Sequence, residues 1–533
     1  MLGFENITGP PERVNQPQRA KRSQSGDRIF VPVPRALAWG TALLVAAKCL
    51  LLMGVELGKD EAAYWYWARY HLDASYAFVM LAVIRLADVL WAGNDMALRL
   101  PFIVAGAGSA WLMNAACEKT GLATTDRLAA VLAFVTCHWA WHTGSFLHPD
   151  GVLVPLWLAT LAAADRAWRS QQDHHWLLTG ILGGLVALSK YTGCVLMAGL
   201  LLALTLRGRQ RFRGLLWTGI PCAIVASPLI WALWGLDFHL PFTLGSLSQV
   251  AASDPVWWRA GLFLLAPLLY LSPPLLWLLY SGLYRGWQER HEQGVDLVLI
   301  PALVLLATFG VFALVNGQVK GNWVLPGLLG IWPLAFHGLH QRRFHRIWWA
   351  GLLVLGIGMT AVPALTLRWP TLAQQLVDSA PAAVDATYPA IVSPTDLPRE
   401  PTFSWTERVC EYHGWADFGQ DLSQRLQHDM GRADRVHSAE YGLGYGLGRY
   451  LPDAPRVTIT DDARFAYIAD ASLGDASIYV TRSGGAIPSA ALARQPRQID
   501  TMVRQAPGCG PVGYDVYLLS GHAASADNTT ESR

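Results

Sequence analysis

The sequence predicts an α-helical polytopic membrane protein, with about eleven transmembrane helices and a small C-terminal α/β domain. Three observations predict it. Of 533 residues, 53% are apolar and only 15% charged, against about 25% charged in soluble domains, and the mean hydropathy is +0.27. Apolar runs of spanning length alternate with short basic clusters, the pattern of positive-inside topology. From Pro370 onward the composition turns to that of an ordinary soluble domain. A formal net charge of +2, with the basic residues gathered beside apolar runs, leaves no overall field suited to nucleic acid.

Residues 1–35 carry Arg13, Arg19, Lys21, Arg22, Arg28 and Arg35 among Pro, Gln and Ser, which predicts a disordered cytoplasmic arm that holds the next helix N-terminus inside. Residues 36–57 are too long an apolar run for a removed signal peptide and read as an uncleaved outward crossing. Residues 76–91 are apolar but short and interrupted by Arg85 and Asp88, which predicts a juxtamembrane helix on the outer surface.

Further crossings are predicted at 100–117, 128–143 and 152–164. The run 176–206 is too long for one span and is flanked by Arg166 and Arg169 before it and Arg207, Arg209, Arg211 and Arg213 after it, so it must turn back at Ser189-Lys190-Tyr191-Thr192. Crossings at 215–234, 262–284, 297–315, 324–339 and 347–367 complete the set, with Ser272-Pro273-Pro274 expected to kink its helix. With the N-terminus inside, the count puts the C-terminal domain outside.

Residues 370–401 read as a Pro- and Ala-rich linker, 402–520 as the outer α/β domain and 521–533 as a disordered tail. A helix is expected at 415–430, and strands at 435–438, 456–460, 477–481 and 514–519. The glycines Gly442, Gly444, Gly446 and Gly448 lack dinucleotide-fingerprint spacing and read as backbone accommodation. Cys410 and Cys509 are the two cysteines of that domain and are expected to pair in an oxidising compartment.

The predicted topology brings four polar segments to one outer face: Asp60 with Glu61, His148 with Asp150, Lys190 with Tyr191, and Lys320 with Asn322. A carboxylate base for an acceptor hydroxyl, beside cations for a departing phosphate, suits transfer from a phosphate-linked donor. Each segment also has a plainer role open to it. Asp60 and Glu61 fit the solvated end of a membrane helix, Asp150 could cap the helix that follows, Lys190 could snorkel, and Lys320 could be a solvated loop charge. A metal is not required; His148 with Asp150 is the pair best suited to a divalent ion.

These segments resemble the bacterial membrane glycosyltransferases of the GT-C fold, related to protein O-mannosyltransferases and to the lipid A aminoarabinose transferase. The resemblance runs over about residues 36–370 and rests on Asp60-Glu61-Ala62-Ala63-Tyr64-Trp65, Arg99-Leu100-Pro101, Pro149-Asp150-Gly151, Leu188-Ser189-Lys190-Tyr191-Thr192 and Asn322-Trp323, in that order. It implies an inverting transferase in the bacterial inner membrane. The donor would be a polyprenyl-phosphate sugar and the acceptor an envelope lipid A, glycan, lipid or protein on the periplasmic side, with Asp60 as general base and Lys190 near the donor phosphate. The chain departs from the family where Ser75-Tyr76 runs directly into Ala77-Phe78-Val79 without a DHPP-like segment. A lipid-linked-sugar transporter or flippase, and an inactive relative that binds such a lipid, are the alternatives. A transporter would show internal repeats, and none is visible.

Overall fold

The computed structural model describes residues 35–72, 77–91, 93–206, 211–235, 256–290, 292, 294–316, 321–340, 345–379, 405–429, 433–452, 455–459, 477–485, 487, 492 and 495–519. The N-terminal arm up to residue 34, Ser75-Tyr76, Lys320, most of the expected linker and the expected C-terminal tail lie outside the described residues.

The first half of the chain is α1 (Arg35–Leu52), α2 (Lys59–Tyr70), α3 (Phe78–Leu90), α4 (Asp95–Lys119), α5 (Thr124–Thr136), α6 (His138–Thr143), α7 (Pro149–Ser170), α8 (Asp173–Ser189), α9 (Tyr191–Leu206) and α10 (Arg211–Gly235). There follow α11 (Val256–Leu265), α12 (Pro273–Gln288), α13 (Asp296–Asn316), α14 (Leu325–Leu328), α15 (Trp332–His340), α16 (His345–Arg368) and α17 (Pro370–Ser379). Five helices among the described residues are long and apolar enough to cross a membrane, or six if one bent pair counts as a span. Of the remaining expected crossings, α8 and α9 are shorter, α7 is a continuous 22-residue helix outside the apolar set, and the others are interrupted.

The interruptions have local causes. The run 176–206 does turn at Lys190, whose extended backbone separates α8 from α9. Residues 128–143 are expected as one helix but divide at Cys137, also extended, into α5 and α6. The expected kink at 262–284 is a full break of 117°. Pro273 lies in the first turn of α12, so it starts a helix rather than bending one. Residues 324–339 are likewise not one helix, since Pro326, Gly327 and Gly330 leave α14 a single turn before α15 begins. Residues 370–379, expected as linker, form α17.

A large core of Trp139, Trp157, Trp176, Trp332 and Phe336 with many Leu unites α5 to α9 with α12 to α15. Leu86, Val89, Leu90 and Trp91 at the end of α3 are exposed, whereas Met80, Leu81, Ile84 and Asp88 are buried. That one-sided pattern fits the expected surface helix.

The C-terminal domain comprises α18 (Trp405–Cys410), α19 (Trp415–Asp429), β1 (Arg435–Ser438), α20 (Tyr441–Tyr450), β2 (Arg456–Ile459), β3 (Ser477–Arg482), β4 (Arg497–Ala506) and β5 (Cys509–Leu519). The strand order is β2-β1-β3-β5-β4. β1 runs parallel to β2 and β3, while β5 is antiparallel to β3 and β4. The four expected strands and the 415–430 helix are present; β4, α18 and α20 are additions. Cys410 and Cys509 form a disulfide with Cα atoms 5.8 Å apart, tying α18 to the start of β5.

The glycines of α20 are packing devices, as expected. A Cβ on Gly442 would lie 3.0 Å from the Lys59 Cβ, one on Gly444 2.7 Å from Ile459, and one on Gly448 2.5 Å from Val457. A second core accordingly joins Trp65, Tyr66 and Trp67 of α2 to Tyr445, Val457 and Ile459. The C-terminal domain is thereby seated directly on the helix that begins with Lys59-Asp60-Glu61.

Candidate active site

The α2 N-terminus is built for carboxylates. Asp60 and Glu61 lie in its first turn, where the unpaired amides and helix dipole favour negative charge. Glu61 reaches back to accept from the Gly58 N–H at 3.2 Å, half of a capping box, since Gly58 has no side chain to return the bond. Gly58 is required by proximity: a Cβ there would stand 2.5 Å from the Tyr412 ring.

The two carboxylates have opposite surroundings. Glu61 is buried, and its Oε1 accepts from Arg99 Nε at 3.0 Å and from the Leu147 N–H at 3.0 Å, while Oε2 accepts from Arg99 Nη2 at 2.6 Å. Arg99, wholly buried, also donates to the carbonyls of Val55 at 2.6 Å and Glu56 at 2.7 Å. The Arg99-Leu100-Pro101 motif thus fixes the loop before α2 and the loop before α7 through one carboxylate. Asp60 is exposed, and its Oδ1 accepts from the Tyr441 hydroxyl at 2.9 Å. Of the pair, Asp60 is the one open to solvent.

Pro149 opens α7 in the first turn, and His148 is its N-cap, its Nδ1 accepting from the Asp150 N–H at 3.1 Å. Asp150 therefore does not cap the helix. It is fully buried, with Oδ1 paired to Lys190 Nζ at 2.9 Å and Oδ2 accepting from Trp139 Nε1 at 3.4 Å. Lys190 is buried too, so its ammonium is held by a carboxylate and does not snorkel. The acceptor role of Nδ1 places the His148 ring proton on Nε2. Burial drives the His148 pKa down to about 4 against the opposing pull of Asp150; the Lys190 charge also lowers it and Asp60 raises it. His148 thus lies within electrostatic reach of all three.

The Tyr191 ring meets Trp323 edge-on at 6.0 Å, which brings the break after α8 beside the Gly321–Trp323 turn that carries Asn322. A Cβ on Gly321 would lie 2.2 Å from the Ala266 carbonyl, so this turn is set against the break between α11 and α12. Among the described residues no group of three His, Cys, Asp or Glu is arranged to hold a metal. In the His148–Asp150 pair, Nδ1 and Oδ1 already have partners.

Several neighbours are not apparent in the sequence. Lys48, set within an apolar helix, donates to the carbonyls of Gly144 at 2.6 Å and Trp141 at 3.3 Å. It thereby caps the C-terminus of α6 just ahead of His148. From the C-terminal domain, Glu411 pairs with Lys59 at 3.2 Å, and Arg408 senses the charge of Asp60. The Glu56 carboxylate caps α19 by accepting from the N–H groups of Trp415 at 2.7 Å and Ala416 at 2.9 Å.

In shape, the chain superposes on the crystal structure of ArnT from Cupriavidus metallidurans bound to undecaprenyl phosphate with a TM-score of 0.57 and 14% identity, over 92% of this chain and 99% of that one. The same protein in the apo state gives 0.55 and 13%. The fold is that of ArnT.

Sequence comparison agrees with the ArnT likeness. Residues 75–234 match the dolichyl-phosphate-mannose-protein mannosyltransferase family model. An undecaprenyl phosphate-alpha-4-amino-4-deoxy-L-arabinose arabinosyl transferase of Erwinia tasmaniensis is 28% identical over 58% of this chain and 56% of its own length. Its counterpart in Pseudomonas paraeruginosa is 30% identical over 40% of this chain and 39% of its own. The chain therefore matches about half or less of the length of these relatives. The resemblance to GT-C membrane glycosyltransferases of the ArnT and mannosyltransferase type holds in both sequence and fold.

Proposed function

We propose that this protein is an inverting glycosyltransferase that moves a sugar from a polyprenyl-phosphate carrier to a hydroxyl of an envelope acceptor, lipid A foremost. The observation that carries the reading is the presence, within the ArnT fold, of an exposed carboxylate at the α2 N-terminus and of a buried Lys190–Asp150 pair, both within electrostatic reach of His148. In the reaction, the acceptor oxygen forms a bond to the anomeric carbon as that carbon's bond to the phosphate oxygen breaks. Asp60 takes the acceptor proton, and the phosphate departs toward Lys190, whose ammonium retains donors beyond the one given to Asp150. Glu61 serves as a strut that sets the angle of Asp60, and His148, neutral and bearing its proton on Nε2, offers a donor between the two charges. Tyr191 and Asn322 line the approach, with Lys320 as a further phosphate contact.

The active face is assigned to the periplasmic side of the bacterial inner membrane, with the basic N-terminal arm cytoplasmic and the C-terminal domain outside; the charge pattern of the loops and the disulfide support this. The test is transfer in vitro from defined polyprenyl-phosphate sugars, followed by extraction of lipids to find which species gains the mass of the sugar. Sugar gained by a lipid acceptor supports the reading. Movement of the intact lipid-linked sugar across a vesicle, without transfer, would instead favour a flippase, to which the 117° broken helix pair would be suited. Binding with neither outcome would mark an inactive relative.

A further inference from the structure

The hydroxyl of Tyr441 donates to Asp60 Oδ1 at 2.9 Å although the two residues lie 381 positions apart. Around this bond the contact is close-fitting. Lys59, adjacent to Asp60, pairs with Glu411 at 3.2 Å and lies 5.6 Å from the Tyr441 ring centre. Gly442 abuts Lys59, and Gly58 abuts Tyr412. On the far end of α20, Tyr450 donates to Asp95 at 2.6 Å and accepts from the Leu57 N–H at 2.6 Å, and Arg449 forks onto Asp95. Both ends of one helix of the C-terminal domain are therefore anchored to the segment that presents Asp60.

From this geometry we infer that Tyr441 is a positioning residue for the proposed base, so that the C-terminal domain completes the active site rather than merely covering it. A carboxylate on an exposed helix start rotates about its side-chain torsions. A donor fixed on Oδ1 selects one rotamer and turns Oδ2 toward the acceptor hydroxyl. The Tyr441 hydroxyl is suited to remain a donor, because burial, reinforced by the charge of Asp60, holds it well above the usual tyrosine range. The glycine at 442 follows from the same requirement, since a larger residue would lift the start of α20 from Lys59 and carry the hydroxyl away.

The inference rests on Asp60 being the base, and the experiment separates the two. Tyr441→Phe, Asp60→Asn and the double variant are purified as full chains, and single-turnover and steady-state transfer are measured with a polyprenyl-phosphate sugar as donor. Tyr441→Phe is expected to lower kcat about tenfold, equivalent to about 1.4 kcal/mol, with donor KM and melting temperature unchanged. In the Asp60→Asn background the same change should have no further effect, because the bond has lost its catalytic partner. Gly442→Ala, which retains the hydroxyl but displaces the helix, should lower kcat in the same direction. A Tyr441→Phe rate within twofold of wild type, or an equal loss in the Asp60→Asn background, overturns the inference. An Asp60→Asn enzyme with the wild-type rate overturns the base assignment itself.

Discussion

Removing Arg99 should damage the site without touching a substrate. Its guanidinium makes four hydrogen bonds at 2.6 to 3.0 Å, two to Glu61 and one each to the carbonyls of Val55 and Glu56, and it is wholly buried. Arg99→Ala leaves an uncompensated buried carboxylate and two carbonyls without that donor. Breaking a buried pair in this way costs about 3–5 kcal/mol, a large share of the marginal stability of a typical folded domain. Arg99→Lys retains the charge, but a single ammonium cannot span both carboxylate oxygens and both carbonyls, so a smaller loss is expected. Thermal unfolding in detergent, followed by tryptophan fluorescence, measures both. The Arg99→Met, Glu61→Gln double variant should be more stable than Arg99→Met alone, because it removes the stranded charge as well. An Arg99→Ala protein that melts with wild type would refute the strut, and so would a double variant less stable than the single.

Three further outcomes follow from the same geometry. Lys190→Met should raise the apparent donor KM by tenfold or more while membrane insertion is retained, and unchanged donor dependence in the transfer assay would remove Lys190 from the phosphate site. Cys410→Ser should destabilise the C-terminal domain by about 2–5 kcal/mol, measured as earlier proteolysis of that domain, and transfer should fall with it. Because the folded His148 titrates at about 4 and an unfolded histidine at about 6.5, the unfolded chain gains a proton first as pH falls; stability contributed at neutral pH should thus be lost between those values. His148→Asn, which keeps a capping acceptor, should flatten that part of the melting-temperature profile, and an unaltered profile would count against the assignment.

The parts legible in the sequence were those set by local or one-dimensional signals. The turn at Lys190 follows from basic clusters on both sides of an overlong apolar run, and β1, β2, β3 and α19 follow from short-range pattern. α20 was hidden because four glycines are poor helix formers; close approach to Lys59, Val457 and Ile459 required them. β4, with the sequence RQIDTMVRQA, lies at the sheet edge and buries little, so it lacks a clean alternation. The family resemblance implies Asp60 as base, but the opposite surroundings of Asp60 and Glu61 could not be read from adjacent positions. They depend on Arg99, 38 residues from Glu61, and on Tyr441, 381 residues from Asp60, which become neighbours only through the packing of whole elements. The α11–α12 and α14–α15 breaks were masked by apolar composition, in which a helix and its interruption look alike.

In the proposed mechanism Asp60 performs the proton transfer while Glu61 holds the loop. Single-turnover transfer by Asp60→Asn, compared with wild type at saturating donor, tests it most directly. The variant preserves shape and removes basicity, so it should bind donor and melt as wild type does while the transfer step slows by about a hundred- to ten-thousand-fold; Glu61→Gln, by contrast, should lose stability first. Wild-type transfer by Asp60→Asn, with the rate lost instead in a stably folded Glu61→Gln or Asp150→Asn protein, would contradict the account and move the base to that carboxylate.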